Sequence, residues 1–273
     1  MKRWLPLVTL LAVVGLAASS IPADAQSGAR LRWNDCDAAA TNLNFACDVN
    51  TGNNYMVATF QLASGVTDFV AVQGHIDLIS ASTTLPDWWK VKNAFQRPGT
   101  LCRNGALAAP ITDVGNVPTA TSCANDAWNG NGGSTSGGVD FLHPFPYNAT
   151  GGPNGTGNSA ADSLRWARFK FVMAIGPGND LALTAGTEYF VIALRISNTK
   201  TTGAGNCLGC ADAACLVLNK LEILSAPSGV ATLTNDIGSG SASTITWQGG
   251  SGANCAAVPV RNTTWGQIKS FYR

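Results

Sequence analysis

The stretch DFVAVQGHIDLIS, Asp68 to Ser80, decides the fold class. Val70, Val72, Ile76 and Leu78 share one parity, while Gln73, His75 and Asp77 share the other. Side chains alternate between the two faces of a strand, so this is a strand with one buried and one wet face. In EYFVIALRIS, Phe190, Ile192, Leu194 and Ile196 repeat the pattern. Outward from these two, strands are predicted over Tyr55 to Leu62, Trp166 to Ile175, Leu216 to Ser225, Gly229 to Thr234 and Thr244 to Gln248, separated by Gly, Asn, Pro and Ser clusters. About seven strands of this kind predict an all-β protein, an antiparallel β-sandwich or jelly roll.

Between the halves, residues 96–163 read as a long irregular excursion containing GNGGSTSGG and TGGPNGTGN. A loop of that length is functional, stapled or disordered. Only the C-terminus reads as helical. Thr264 can cap TWGQIKSFYR, whose Trp265, Ile268 and Phe271 fall on one face over 264–272.

The first residues predict a compartment. Met1-Lys2-Arg3 is a short positive start, Trp4 to Ser19 is apolar, and Ala23-Asp24-Ala25 offers small residues to a signal peptidase. The expectation is a signal peptide over 1–25 and a single domain over 26–273, secreted or periplasmic, with no membrane span in the mature chain. Removing Lys2, Arg3 and Asp24 leaves 15 basic and 15 acidic residues. Such a chain has no field to attract nucleic acid. Charged residues make up 12% of the chain against an ordinary ~25%, so its surface is covered largely by Ser, Thr, Asn and Gly, as in bacterial extracellular β proteins.

All eight cysteines lie in the part expected to be exported. An even count in an oxidising compartment reads as four disulfides, with no metal and no cofactor. Local closure pairs Cys36 with Cys47 and Cys102 with Cys123. The cluster NCLGCADAACLVLN then pairs Cys207 with Cys215 and Cys210 with Cys255, or Cys210 with Cys215 and Cys207 with Cys255. A four-cysteine metal site lacks its second Cys-x2-Cys knuckle. Asp48-Val49-Asn50-Thr51-Gly52 starts like a calcium loop, but Gly52 stands where an oxygen ligand is needed, which leaves an Asn/Gly turn.

Trp88-Trp89 in LPDWWKV is the candidate ligand-binding platform, because an exposed indole face stacks on sugar rings. Two histidines offer acid–base alternatives: His75 with Asp77 on the wet face of a strand, and His143 with Asp140 in VDFLHPFPY. No G-x-S-x-G elbow and no H-E-x-x-H are present. The expected function is therefore an exported, non-catalytic β-sandwich for binding or surface structure, with a glycan or cell-surface component as partner. The alternative is a secreted hydrolase using one of the His/Asp pairs.

Overall fold

The computed structural model describes residues 28–37, 39–91, 101–108, 115, 117–118, 120–128, 135–143, 162–176, 178–225, 229–234 and 243–251. The expected signal peptide and the expected helix over 264–272 lie outside them. Among these residues the chain is all-β, with strands β1 (Gly28–Trp33), β2 (Asn42–Leu43), β3 (Asn53–Gln61), β4 (Val66–Ser80), β5 (Thr135–Leu142), β6 (Trp166–Ile175), β7 (Leu181–Leu183), β8 (Glu188–Ser197), β9 (Ala214–Ser225), β10 (Gly229–Thr234) and β11 (Thr244–Trp247). Its helical turns there are short 3-10 pieces, such as Asp87–Trp89.

Two sheets result. The smaller has the order β1-β3-β8; the larger runs β2-β11-β9-β4-β6-β5, with β10 also on β9 and β7 also on β4. Every pairing is antiparallel except the two-residue contact of β2 with β11. The 15-residue β4 lies inside the larger sheet and is paired along both edges. One apolar cluster joins the sheets, with Leu31, Met56, Phe60 and Ile192 from the smaller and Val72, Ile76, Phe169 and Leu216 from the larger. Each such side chain contributes about 1.5–3 kcal/mol when buried. The smaller sheet also buries its other face: Tyr55, Val57, Phe190 and Ala193 pack with Val117. With both faces covered, NNYMVATFQ in β3 loses clear alternation, as strands buried on both sides do.

All seven sequence-derived strands are present, with ends within two residues of expectation. One parity assignment changes, at a bulge. Ala58 faces Ile192 and Thr59 faces Phe190, so Val191 is an extra residue and Phe190 turns to the face opposite Ile192. Phe69 faces Ser225 and Ala71 faces Leu224, which leaves Val70 as the extra residue of a second bulge; it is only half-buried, yet it packs against the same apolar cluster as Val72.

The Gly-rich excursion is also corrected. Thr135–Leu142 is β5, an antiparallel edge strand on β6. Glycine here serves close approach and not a turn. A Cβ on Gly137 would lie 2.1 Å from Met173 Sδ and 2.2 Å from the Val172 carbonyl.

The disulfides cross-link distant segments instead of closing local loops. Cys36 pairs with Cys123, Cys47 with Cys210 and Cys102 with Cys207. This corrects the expected Cys36–Cys47, Cys102–Cys123, Cys207–Cys215 and Cys210–Cys255 pairs and their alternatives through Cys207–Cys255 and Cys210–Cys215. Cys215 is disulfide-bonded as well, and Cys255 lies outside the described residues. The physical reason is that the 207–213 turn directs successive thiols to different neighbours. Gly209, at φ 95°, lets the turn pass against Pro86, whose Cβ would lie 2.3 Å from an added side chain.

Candidate functional site

Trp88 and Trp89 are both fully buried, so the exposed-platform expectation does not hold. They sit in a 3-10 turn, and Trp88, Trp89, Trp33 and Phe45 surround Trp247. Phe45 stacks on Trp247 at 4.1 Å, and the Trp88 and Trp89 rings lie 4.6 and 5.4 Å from it. Three of the indoles are anchored by donation: Trp88 Nε1 to Thr201 Oγ1, Trp33 Nε1 to the Thr246 carbonyl and Trp247 Nε1 to the Cys210 carbonyl. Indoles placed this way are core, because their area is worth most out of water and the N–H finds an acceptor.

His143, just past β5, is half-buried and makes a 2.8 Å hydrogen bond through Nδ1 with the Trp166 carbonyl, so that nitrogen is the donor. Its ring is 6.5 Å from Phe141. Asn50 accepts from the Thr201 and Thr202 amides and donates to the Thr202 carbonyl, so the DVNTG stretch is used as a tie between loops.

The larger sheet brings the other candidates together. Strand register sets Asp140 beside Lys170, Lys170 beside His75 and His75 beside Lys220, one row across β5, β6, β4 and β9. The row beneath it is Gly138, Val172, Gln73 and Glu222. Together they line an open cleft of about 580 Å³. Two ties hold it in shape. Lys220 Nζ lies 2.5 Å from Glu222 Oε1, and Gln73 Nε2 donates to Glu222 Oε2 at 2.5 Å. The hydrogen bond from Lys220 is the largest influence on Glu222, and with the Gln73 bond it lowers the carboxyl pKa against the opposing effect of burial.

Asp77, on the same strand parity as His75, is not on a wet face as expected. It is 1% exposed and held by Arg168 through Nε at 2.5 Å and Nη2 at 2.6 Å. A third bond comes from Asn219 Nδ2 at 2.6 Å. Asn219 is itself an extra residue, since β9 pairs Lys220 with His75 and Leu218 with Ile76. The bulge delivers the amide to the carboxylate. A carboxylate fixed by a forked guanidinium and an amide is a structural ion pair, and breaking such a buried pair is costly.

His75 is partly buried beside this pair. Burial pushes its pKa down to about 4; Asp77 acts the other way, while Arg168, Lys220 and Lys170 reinforce the effect of burial, and Asp140 lies beyond Lys170 in the same row. The imidazole is therefore neutral at pH 7. In an unfolded chain it titrates near ~6.5, so between about pH 6.5 and 4 the unfolded state binds the extra proton. The stability associated with neutral His75 is complete above pH 6.5 and is lost as pH falls toward 4, on the order of 3 kcal/mol at the acid end. We expect wild type to lose more stability than His75→Gln between pH 7 and 4.5 in denaturant titrations. Equal losses would contradict the neutral, buried imidazole.

His75 and Asp140 were expected as site candidates and Gln73 as a wet-face neighbour of His75, whereas Lys170, Lys220 and Glu222 were not expected at a site. Their signal was available as polar residues at alternate positions of RFKFVM and LNKLEIL. What was missing was which strands are neighbours. Among the described residues, no group of three or more His, Cys, Asp or Glu is placed to hold a metal ion, and no helix is long and apolar enough to cross a membrane. Comparison with known families, curated proteins and solved structures finds no match to this chain.

Proposed function

We propose that the chain is an exported, non-catalytic binding protein built as a single β-sandwich, with the outer cleft of its larger sheet as the ligand site. The observation that carries this reading is the cleft itself: charged and polar side chains from four adjacent strands converge on one open concavity of about 580 Å³, within the ~300–1,000 Å³ typical of ligand sites. Residues on paired strands are more rigidly placed than residues on loops. The apolar cluster shared by two sheets supports the sandwich architecture. Export is supported by the three disulfides, which persist in oxidising compartments, and by the basic, apolar and small-residue order of residues 1–25.

The arrangement of the cleft favours binding over hydrolysis. Its two carboxylates, Asp140 and Glu222, stand on strands with two others between them, an interval of about 14 Å at ~4.8 Å per strand. Glycosidic carboxyl pairs sit ~5–9.5 Å apart. Asp77, the carboxylate nearest to His75 in sequence, is occupied by Arg168 and Asn219.

The test uses protein recovered from the exported fraction, whose N-terminus is expected at Gln26. Purified wild type should co-sediment with washed cell envelopes without releasing soluble fragments. Gly138→Phe should lose that retention at least tenfold while melting at the wild-type temperature. Nothing lies within 4 Å of a Cβ at Gly138, so the new ring fills the cleft and spares the fold. Retention unchanged by the variant, or release of product by wild type, would overturn the reading.

A further inference from the structure

We infer that the ligand of this cleft is a neutral saccharide, lying across Gly138 and Val172 with its hydroxyls on the charged row. This rests on the binding reading above and names the chemistry that the cleft selects. Three observations carry it.

The first is charge balance. Lys170 and Lys220 face Asp140 and Glu222 within the same two rows, so the four charges cancel, and His75 between them is uncharged at neutral pH. A site of zero net charge gives no long-range preference to anions or cations. The second is the kind of polar group. Carboxylates accept, ammonium groups donate, and Gln73 and the neutral imidazole each do both. A ligand that satisfies such a set must itself donate and accept at closely spaced points, and a ring of hydroxyl groups does so. Neighbouring positions step by about 4.8 Å from strand to strand, close to the length of one pyranose ring.

The third observation is apolar. Val172 is 48% exposed, one of a few large apolar side chains so open among the described residues, and it stands between Gly138 and Gln73 in the lower row. Gly138 leaves the surface beside it flat and clear. A sugar ring carries an apolar C–H face as well as its polar rim, and the pairing of a bare apolar strip with a row of hydrogen-bonding groups matches both. A strand-like peptide fits less well. The cleft floor is the face of the sheet, where the backbone N–H and C=O groups of β9, β4 and β6 are already committed to the ladders on both sides. Nor do its lining residues include a Trp, Tyr or Arg to anchor a protein partner.

The experiment titrates full-length exported protein by calorimetry with three probe sets: neutral gluco-, manno-, galacto- and xylo-oligosaccharides of about three to six units, acidic uronic-acid oligosaccharides of the same length, and a mixed-sequence peptide library. We expect saturable binding by at least one neutral series, at least tenfold weaker binding of its acidic counterpart, and loss of at least tenfold in Gly138→Phe and in Gln73→Ala. Val172→Asp should weaken binding as strongly while leaving the melting temperature unchanged. Binding by none of the neutral series overturns the inference, as does neutral binding that Gly138→Phe leaves intact. If envelopes are retained through the cleft but the neutral sugars neither bind nor compete, the saccharide assignment fails and the binding reading stands. If Gly138→Phe leaves envelope retention unchanged, both fail.

Discussion

Arg103→Met is expected to destabilise the protein by at least about 4 kcal/mol, seen as a shift in the denaturant midpoint with little change in slope. Arg103 is 1% exposed and uses all three guanidinium nitrogens on backbone carbonyls: Nε donates to Thr199 at 2.9 Å, Nη1 to Trp88 at 2.7 Å, and Nη2 to Ser197. The guanidinium carbon also lies 3.8 Å from the centroid of the Trp88 ring. Burial lowers its pKa to about 9, which still leaves the group protonated at neutral pH. Truncation would leave three carbonyls without this donor, at roughly 1–3 kcal/mol for each that stays buried, and would remove a desolvated cation–π contact of up to ~2 kcal/mol. Arg103→Lys should recover less than half of the loss, because one ammonium on a flexible stem cannot reproduce the planar fork. A midpoint for Arg103→Met equivalent to less than ~1 kcal/mol from wild type would show that the carbonyls find other partners.

Removing the Cys47–Cys210 bridge as the double variant Cys47→Ala/Cys210→Ala is expected to cost about 5 kcal/mol in a loop-entropy account, because the bridge spans 163 residues. The Cys102–Cys207 bridge spans 105 residues and lies nested within that loop, so its loss from the already opened chain should cost a similar ~4–5 kcal/mol. Domain stabilities are only ~5–15 kcal/mol, so either loss leaves a marginal fold and both together should unfold it. Both bridges start from the 207–210 turn, which also lies against Pro86 of the Trp88-Trp89 turn. Fluorescence of the buried indoles should therefore report the transition directly. Denaturant titrations with and without reductant make the measurement. A fully reduced protein within ~2 kcal/mol of the oxidised one would show that the bridges add little to packing.

These two sites meet in one region of the molecule. Cys102 and Arg103 are adjacent, Lys200 donates to the Cys102 carbonyl at 3.0 Å, and Arg103 holds the carbonyls of Ser197 and Thr199. A bridge and a buried cation thus fix the 101–108 segment onto the end of β8. That end carries no candidate ligand residue, whereas the cleft lies on the outer face of the other sheet. Stability and binding can therefore be changed separately. This separation makes Gly138→Phe informative.

Sequence alone determined the features that are local. Alternation in Asp68–Ser80, Trp166–Ile175 and Glu188–Ser197 marked strands because the period of two is a property of the backbone within a few residues. The same rule could have recovered β1, where Ala29, Leu31 and Trp33 alternate with Arg30 and Arg32, had the segment not followed the expected signal junction so closely. It could not recover β5, because glycines at Gly137 and Gly138 carry no side chain to show a face. Tertiary structure decided everything that depends on a partner distant in the chain. A bulge opposite Ala58 turned Phe190 off its expected face, and a bulge on β9 aimed Asn219 at Asp77. Burial of Trp88 and Trp89 required Trp247, and the Cys36, Cys47 and Cys102 bridges each chose a thiol from 87 to 163 residues away. The cleft is the clearest case: four strands contribute to it, and their order in the sheet, β9-β4-β6-β5, differs from their order in the chain. Parity assigns a side chain to a face within its own strand, but the neighbour across that face is set by pairing between strands, and the energy of that pairing lies in long-range contacts that no local pattern encodes.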